Sequence, residues 1–171
     1  MSALTFSQSI FHFLLVALLV PLTANALPDD RDQPIHIAAD KAVRDEKQGL
    51  TIYEGNVTLN QGSLRIEADT VTIYRVIEEG DKIVAEGRPA RMSQQPELNE
   101  QRVHASANII EYYKTEDRVH LRDDAVIEQD GSRVRGETID YFITQELVKA
   151  NSDQSQDSSR VEVTIPPSAT Q

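Results

Sequence analysis

From residue 35 onward, apolar and polar side chains alternate almost without interruption. Ile35-His36-Ile37, Val57-Thr58-Leu59, Leu64-Arg65-Ile66-Glu67-Ala68 and Val71-Thr72-Ile73 read this way. So do Ile110-Glu111-Tyr112, Val119-His120-Leu121, Ile139-Asp140-Tyr141 and Val161-Glu162-Val163-Thr164-Ile165. Successive side chains of an extended chain point to opposite faces, so period two marks strands with one buried face. No long stretch carries a 3.6-residue apolar period, which excludes a helical architecture. Turn formers separate the runs at Lys47-Gln48-Gly49, Asn60-Gln61-Gly62, Glu79-Gly80-Asp81 and Asp130-Gly131-Ser132. Two segments break the rhythm: Ser93 to Gln101, with Pro96, reads as a loop or short helical turn, and the polar stretch Asn151 to Ser159 as a loop. The expectation is an all-β domain.

A repeat lies beneath the alternation. Ala39-Asp40, Ala68-Asp69, Ala107-Asn108 and Gly136-Glu137 each set a small residue beside a polar one and each precede a strand. Their spacings are 68 − 39 = 29, 107 − 68 = 39 and 136 − 107 = 29. Gly55-Asn56-Val57 stands thirteen residues before Ala68, and Asp123-Asp124-Ala125 thirteen before Gly136. Gly87-Arg88-Pro89 precedes Ala107 by 20, as an insertion near Pro96 would produce. Units of this length that encode paired short strands stack in one dimension. The small residue suits a corner, where backbone segments approach closely, and its polar neighbour can bond turn amides.

The N-terminus reads differently. Ile10 to Leu22 is apolar apart from His12 and Pro21, and Ala24-Asn25-Ala26 follows, the small-x-small pattern of a signal-peptidase site. Residues 1–26 are therefore read as a cleaved export signal, although Met1 to Ser9 lacks the usual Lys or Arg. The domain spans 27–165 and a short disordered tail 166–171. Removal of the signal leaves 171 − 26 = 145 residues, enough for one domain with a core. The signal contains no charged residue, so the whole net charge of −11 falls on the mature chain. Phosphate repulsion at that charge argues against nucleic acid as a partner. The absence of cysteine excludes disulfides, thiol catalysis and Cys-ligated zinc. No apolar run after the signal approaches the roughly 20 residues of a helical membrane span.

Enzymatic chemistry finds little support. His36, His104 and His120 each stand in or beside an alternating run, and none has a metal-ligand spacing. No metal site and no cofactor are expected. The acidic residues are dispersed; Asp123-Asp124 is the one conspicuous adjacent pair, at an expected turn. A glycosidase needs two carboxylates at a set separation, one with a raised pKa. Serine-hydrolase and phosphate-loop motifs are absent.

The interior predicted from the alternation is aliphatic: Ile35, Ile37, Ile52, Val57, Leu59, Leu64, Ile66, Val71, Ile73, Met92, Ile110, Tyr112, Leu121, Val134, Ile139 and Tyr141. Such a set makes an ordinary closed core. With 5% aromatic residues and no Trp it is also lean enough to receive alkyl chains between two slightly open sheets, and periodicity does not separate the two readings.

Asp32-Gln33-Pro34-Ile35-His36-Ile37, the Ala-Asp strand starts, Gly55-Asn56-Val57, Gln61-Gly62-Ser63-Leu64-Arg65-Ile66-Glu67-Ala68-Asp69, Gly87-Arg88-Pro89-Ala90 and His104-Ala105-Ser106 resemble the OstA-like family of periplasmic lipopolysaccharide transport proteins. The resemblance runs from about Asp32 to about Ile165. It implies an incomplete, open β-jellyroll of V-shaped strands in two facing antiparallel sheets. It also implies a non-enzymatic carrier that shields lipopolysaccharide acyl chains in a groove and bridges inner and outer membranes across the periplasm. The implied groove is Ile35, Ile37, Ile52, Ile66, Ile73, Met92, Tyr112, Leu121 and Tyr141. The implied joints are the first strand, with Ile35, His36 and Ile37, and the last, with Val161, Val163 and Ile165. Partners would be an LptC-like inner-membrane protein at the N-terminal edge and an LptD-like outer-membrane protein at the C-terminal edge, with head-to-tail self-association. The chain departs from the family in lacking a basic tail after Pro166-Pro167. Two other readings are a secreted carbohydrate-active enzyme on a β-scaffold and a purely structural adaptor with a closed interior.

Overall fold

The computed structural model describes residues 30–76, 80–96, 101–153 and 160–167. Residues 1–26, read above as an export signal, Glu79 of the Glu79-Gly80-Asp81 turn, residues 97–100 and the polar stretch 154–159 lie outside them. A short 3-10 turn, Asp30–Asp32, leads into ten strands. These are β1 (His36–Ala38), β2 (Lys41–Asp45), β3 (Leu50–Gln61), β4 (Leu64–Val76), β5 (Gly80–Gln94), β6 (Val103–Tyr113), β7 (Arg118–Gln129), β8 (Ser132–Phe142), β9 (Leu147–Asn151) and β10 (Glu162–Thr164). Every pairing is antiparallel. Strands β3 to β8 pair in sequence order; β1 and β2 both pair with β3, and β9 and β10 both pair with β8.

Each long strand bends once, and the pairing register slips at the bend. The slips fall between Glu54 and Val57, Glu67 and Thr70, Glu86 and Ala90, Ser106 and Ile109, and Arg122 and Ala125. Ala68-Asp69 and Ala107-Asn108 fall inside these intervals and Gly136-Glu137 opposite the last, while Ala39-Asp40 links β1 to β2, so the repeat marks a line of stacked corners. Extra residues at a bulge bend the strand and increase its twist. Two corners differ from the rest: Gly55 and Asn56 have φ of +80° and +46°, and Asp123 and Asp124 have +63° and +59°. Gly, Asn and Asp tolerate this left-handed region best, which explains the recurrence thirteen residues before Ala68 and Gly136. The first corner nests on its neighbour: the Asp40 amide donates to the Gly55 carbonyl at 3.0 Å, and Asn56 Nδ2 donates to Asp40 Oδ2 at 2.8 Å.

The bend divides the sheet into two arms that face each other. One arm contains β1, the corner-distal half of β3, alternating halves of β4 to β8, and β10. The other contains β2, the remaining halves, and β9. Side chains shrink toward the corner line. Val57 opposes Ala68, Ala90 opposes Ala107, and Ala125 opposes Gly136, and these residues are buried or nearly so. One step outward stand Leu59, Ile66 and Met92. The interior is a wedge, narrow at the corners, where the facing residues are small, mostly Ala and Gly with Val57 the largest. At Gly136 an added Cβ would meet the Asn151 carbonyl oxygen at 2.8 Å.

The structure amends several expectations. Ser93 and Gln94 continue β5 rather than opening a loop, because their pairing with His104 and Val103 satisfies the backbone. Asn151 closes β9, a strand absent from the sequence reading. The first and last strands do not reach every residue of the implied joints: Ile35, Val161 and Ile165 lie outside the ladders.

Candidate functional site

Antiparallel partners share a face, so the registers thread inward side chains into rows. In the first arm one row crosses eight strands: Ile37, Leu59, Ile66, Met92, Ala105, Ile127, Val134 and Val163. The second arm presents two rows. Nearer the corner are Ala42, Tyr53, Val71, Ala85, Ile110, Leu121, Ile139 and Ala150; farther out are Thr51, Ile73, Ile83, Tyr112, Val119, Tyr141 and Val148. Ile37, Ile66 and Met92 thus stand on one wall and Ile73, Tyr112, Leu121 and Tyr141 on the other. Ile35 packs against the same cluster.

Ile52 does not join them. It pairs with Val43 and Thr72, on the face that also carries Glu111, His120 and Asp140, and its neighbour Tyr53 takes the inward place. Two adjacent apolar residues make the alternation ambiguous there, and the aliphatic one of the two is the wrong guide. Sequence reasoning also passed over Ile83, Val119, Ala105 and Ile127. Counting outward in twos from the hairpin turns, rather than picking bulky residues, would have found them.

The walls touch along most of their length. Leu59, Ile66, Leu121 and Ile139 are 0% exposed, so the protein's own side chains fill the wedge. Toward β9 and β10 the arms part, leaving a recess of about 260 Å³ lined by Ile127, Val134 and Val148 with Gln129, Asp130 and Ser132. The sheet is open at both ends, since β1 and β2 pair only with β3, and β9 and β10 only with β8. Beside the C-terminal edge Val163 and Ile165 are among the most exposed large apolar residues.

Polar groups appear at the rim opposite the corners. Gln61 and Gln94 are the buried polar members of the interior among the described residues. The 3-10 turn closes over them. Asp30 accepts from the Ser63 amide at 2.5 Å, from Ser63 Oγ at 2.6 Å and from Gln94 Nε2 at 2.8 Å. Gln61 Nε2 donates to the Gln33 carbonyl at 2.9 Å. On the outside of the second arm, Asp140 accepts from Arg118 at 3.0 Å and lies 2.8 Å from His120 Nδ1. The Arg118 guanidinium covers the Tyr113 ring. Burial, with the Glu111 carboxylate beside it, raises the Tyr113 phenol above its usual pKa. This ionic and aromatic band faces away from the wedge. His36 and His104 belong to the outer face of the first arm, and no group of three or more metal-ligating side chains occurs among the described residues.

Stacked corners, two apolar walls and two unclosed ends define an open β-jellyroll with its apolar surface turned inward. The family described as "LptA/(LptD N-terminal domain) LPS transport protein" matches residues 36–147. The chain is 38% identical over 140 residues to the lipopolysaccharide export system protein LptH of Pseudomonas aeruginosa, covering 81% of this chain and 79% of that protein. It is 33% identical over 152 residues to the lipopolysaccharide export system protein LptA of Escherichia coli K12, covering 88% and 80%. The crystal structure of LptH from P. aeruginosa, described as the LptA-homologous periplasmic component of the lipopolysaccharide transport device, superposes with a TM-score of 0.75 at 35% identity, covering 82% of this chain and all of that one. The chain belongs to the LptA/LptD N-terminal domain family.

Proposed function

We propose that this protein is a periplasmic carrier that shields the acyl chains of lipopolysaccharide between its two arms during transport from the inner to the outer membrane. The observation that carries this reading is the pair of apolar walls running the full width of the sheet and left open at both ends. Exposing a ~12-carbon chain to water costs on the order of 10 kcal/mol at ~0.8 kcal/mol per CH₂, so a lipid with several chains needs such cover. Eight strands at ~4.8 Å spacing give a wall about 34 Å wide, longer than the ~15 Å half-thickness of a bilayer core. Because the wedge is filled, loading parts the arms at the rim. Headgroups remain outside, where an acidic surface gives them no anchorage. Residues 1–26 act as the export signal. The free edges serve as joints: β1 with an LptC-like domain, β10 with another copy or an LptD-like domain, in a head-to-tail order that does not close on itself.

The filled interior favours one competing reading, a closed structural adaptor. A photo-crosslinking residue at Met92 separates the two. Lipopolysaccharide adducts in cells support the carrier, whereas adducts only within the protein support the adaptor. Replacing Ile37 or Met92 with Asp puts a carboxylate against the alkyl chains at a cost of several kcal/mol and abolishes loading. A variant with retained β circular dichroism that still copurifies with lipopolysaccharide refutes the assignment at that position.

A further inference from the structure

Among the described residues, the interior holds a polar side-chain atom, Gln94 Oε1, that the fold leaves without a partner. Gln94 is 7% exposed, and its Oε1 is buried and accepts no hydrogen bond among the described residues. Buried polar groups are nearly always paired, so an orphan of this kind asks for an explanation. The orientation of the amide is set by its other end. Nε2 donates to Asp30 Oδ2 at 2.8 Å; reversing the amide would bring its oxygen against a carboxylate that is itself only an acceptor. Asp30 is in turn held by two bonds from Ser63. The acceptor is therefore fixed in place, not free to turn toward another donor.

Its place in the wedge is equally defined. Gln94 ends β5 on the inward face, opposite Val103, two residues and so about 7 Å beyond Met92 toward the rim. An alkyl chain lying along Ile66 and Met92 would bring the first polar group of its molecule to the level of Gln94.

We infer that Gln94 Oε1 is a ligand-binding acceptor at the rim. It takes a hydrogen bond from a donor carried next to an alkyl chain, such as a secondary-amide N–H or a hydroxyl. The inference rests on the carrier reading and adds to it a polar subsite. Acyl chains joined through an N–H are thereby distinguished from chains of equal length that lack a donor. Gln61, the last residue of β3 and paired with Leu64, is tied to the Gln33 carbonyl and belongs to the frame of the rim.

Two neutral probes test this: N-propyldodecanamide and its N-methyl analogue, of which only the first carries a hydrogen-bond donor. One net hydrogen bond predicts that the wild type binds the N–H compound about five-fold more tightly. In Gln94→Met, which keeps the volume and removes the acceptor, the ratio falls to about one. A ratio that stays near five in the variant assigns the preference to the bulk of the methyl group and overturns the inference alone. A ratio of one in the wild type does the same. Failure of the wild type to bind either compound overturns the carrier reading together with the subsite. A second measurement needs no variant: the side-chain amide resonance of Gln94 in the wild type shifts with the N–H compound and much less with its analogue. Equal shifts refute the hydrogen bond.

Discussion

Truncation of Ile66 to Ala tests whether the interior is both packed and available. Ile66 is 0% exposed and lies between Leu59 and Met92 across its two neighbouring strands. Losing three carbons removes about 2.4 kcal/mol of transfer free energy at ~0.8 kcal/mol each. The cavity term brings the cost to about 3–4 kcal/mol, within the usual range for such truncations. For a domain of this size the melting temperature then falls by roughly 10 °C. The vacated space is the kind an alkyl chain fills, so the same substitution costs less in lipid-loaded protein than in empty protein. Urea denaturation of wild type and variant, each with and without saturating lipid, gives four stabilities and hence the coupling between cavity and ligand. A cost below about 1 kcal/mol in the empty protein refutes the close packing of the wedge. Equal costs in empty and loaded protein refute contact between alkyl chains and Ile66.

Further expectations concern the edges and the rim. Gly136→Ala drives a methyl group into the Asn151 carbonyl, so it costs about 1–3 kcal/mol and speeds amide exchange in β9 ahead of β10; unchanged exchange in β9 contradicts the close approach. Asp30→Ala strips three hydrogen bonds from the rim, and exchange at Ser63 and Gln95 should accelerate while the corner residues stay protected. Glu137 has a raised pKa, from desolvation first and then from Asp123, Asp153 and Asp124. Its ionisation is thus harder folded than unfolded, and its contribution to stability is lost as pH rises from the ordinary carboxylate range through the folded value. Glu137→Gln should then raise the melting temperature at pH 7 and leave it unchanged well below pH 4; equal shifts at both pH values refute this. Val163→Pro should reduce head-to-tail association in sedimentation runs at rising concentration without loss of β circular dichroism; unchanged self-association removes β10 as the joint.

The alternation announced the strands and the repeat announced the corners because both are local consequences of one buried face. What escaped was set by pairing. β9, Leu-Val-Lys-Ala-Asn, is short and has one neighbour, so little of it must be apolar and no rhythm stands out. The corners also disturb the count. Inward positions are even before the bend in β4, at Leu64 and Ile66, and odd after it, at Val71 and Ile73, whereas β3 keeps odd positions throughout, at Tyr53 and Val57. A reading that carries parity across a bend misassigns half a strand, and Ile52 shows the related error within one half. Gln94 was hidden for another reason. A polar residue near Pro96 suggests a loop, and only the β5–β6 ladder and the Asp30 carboxylate show that it faces inward.

Since each long strand crosses the corner line, a hairpin contributes equally to both walls. Duplicating one would lengthen the channel by two strand spacings, about 9.6 Å, with no mismatch between its sides and no new loop inside it. Each added strand would need a corner of its own, such as Ala68-Asp69 in β4 or the left-handed Asp123-Asp124 in β7. The spacing of the two left-handed corners, Gly55-Asn56 and Asp123-Asp124, equals that from Ala68 to Gly136: 123 − 55 = 136 − 68 = 68 residues. Those 68 residues carry the chain across four strands, from β3 to β7 and from β4 to β8, so the interval corresponds to two hairpins and about 19 Å of channel.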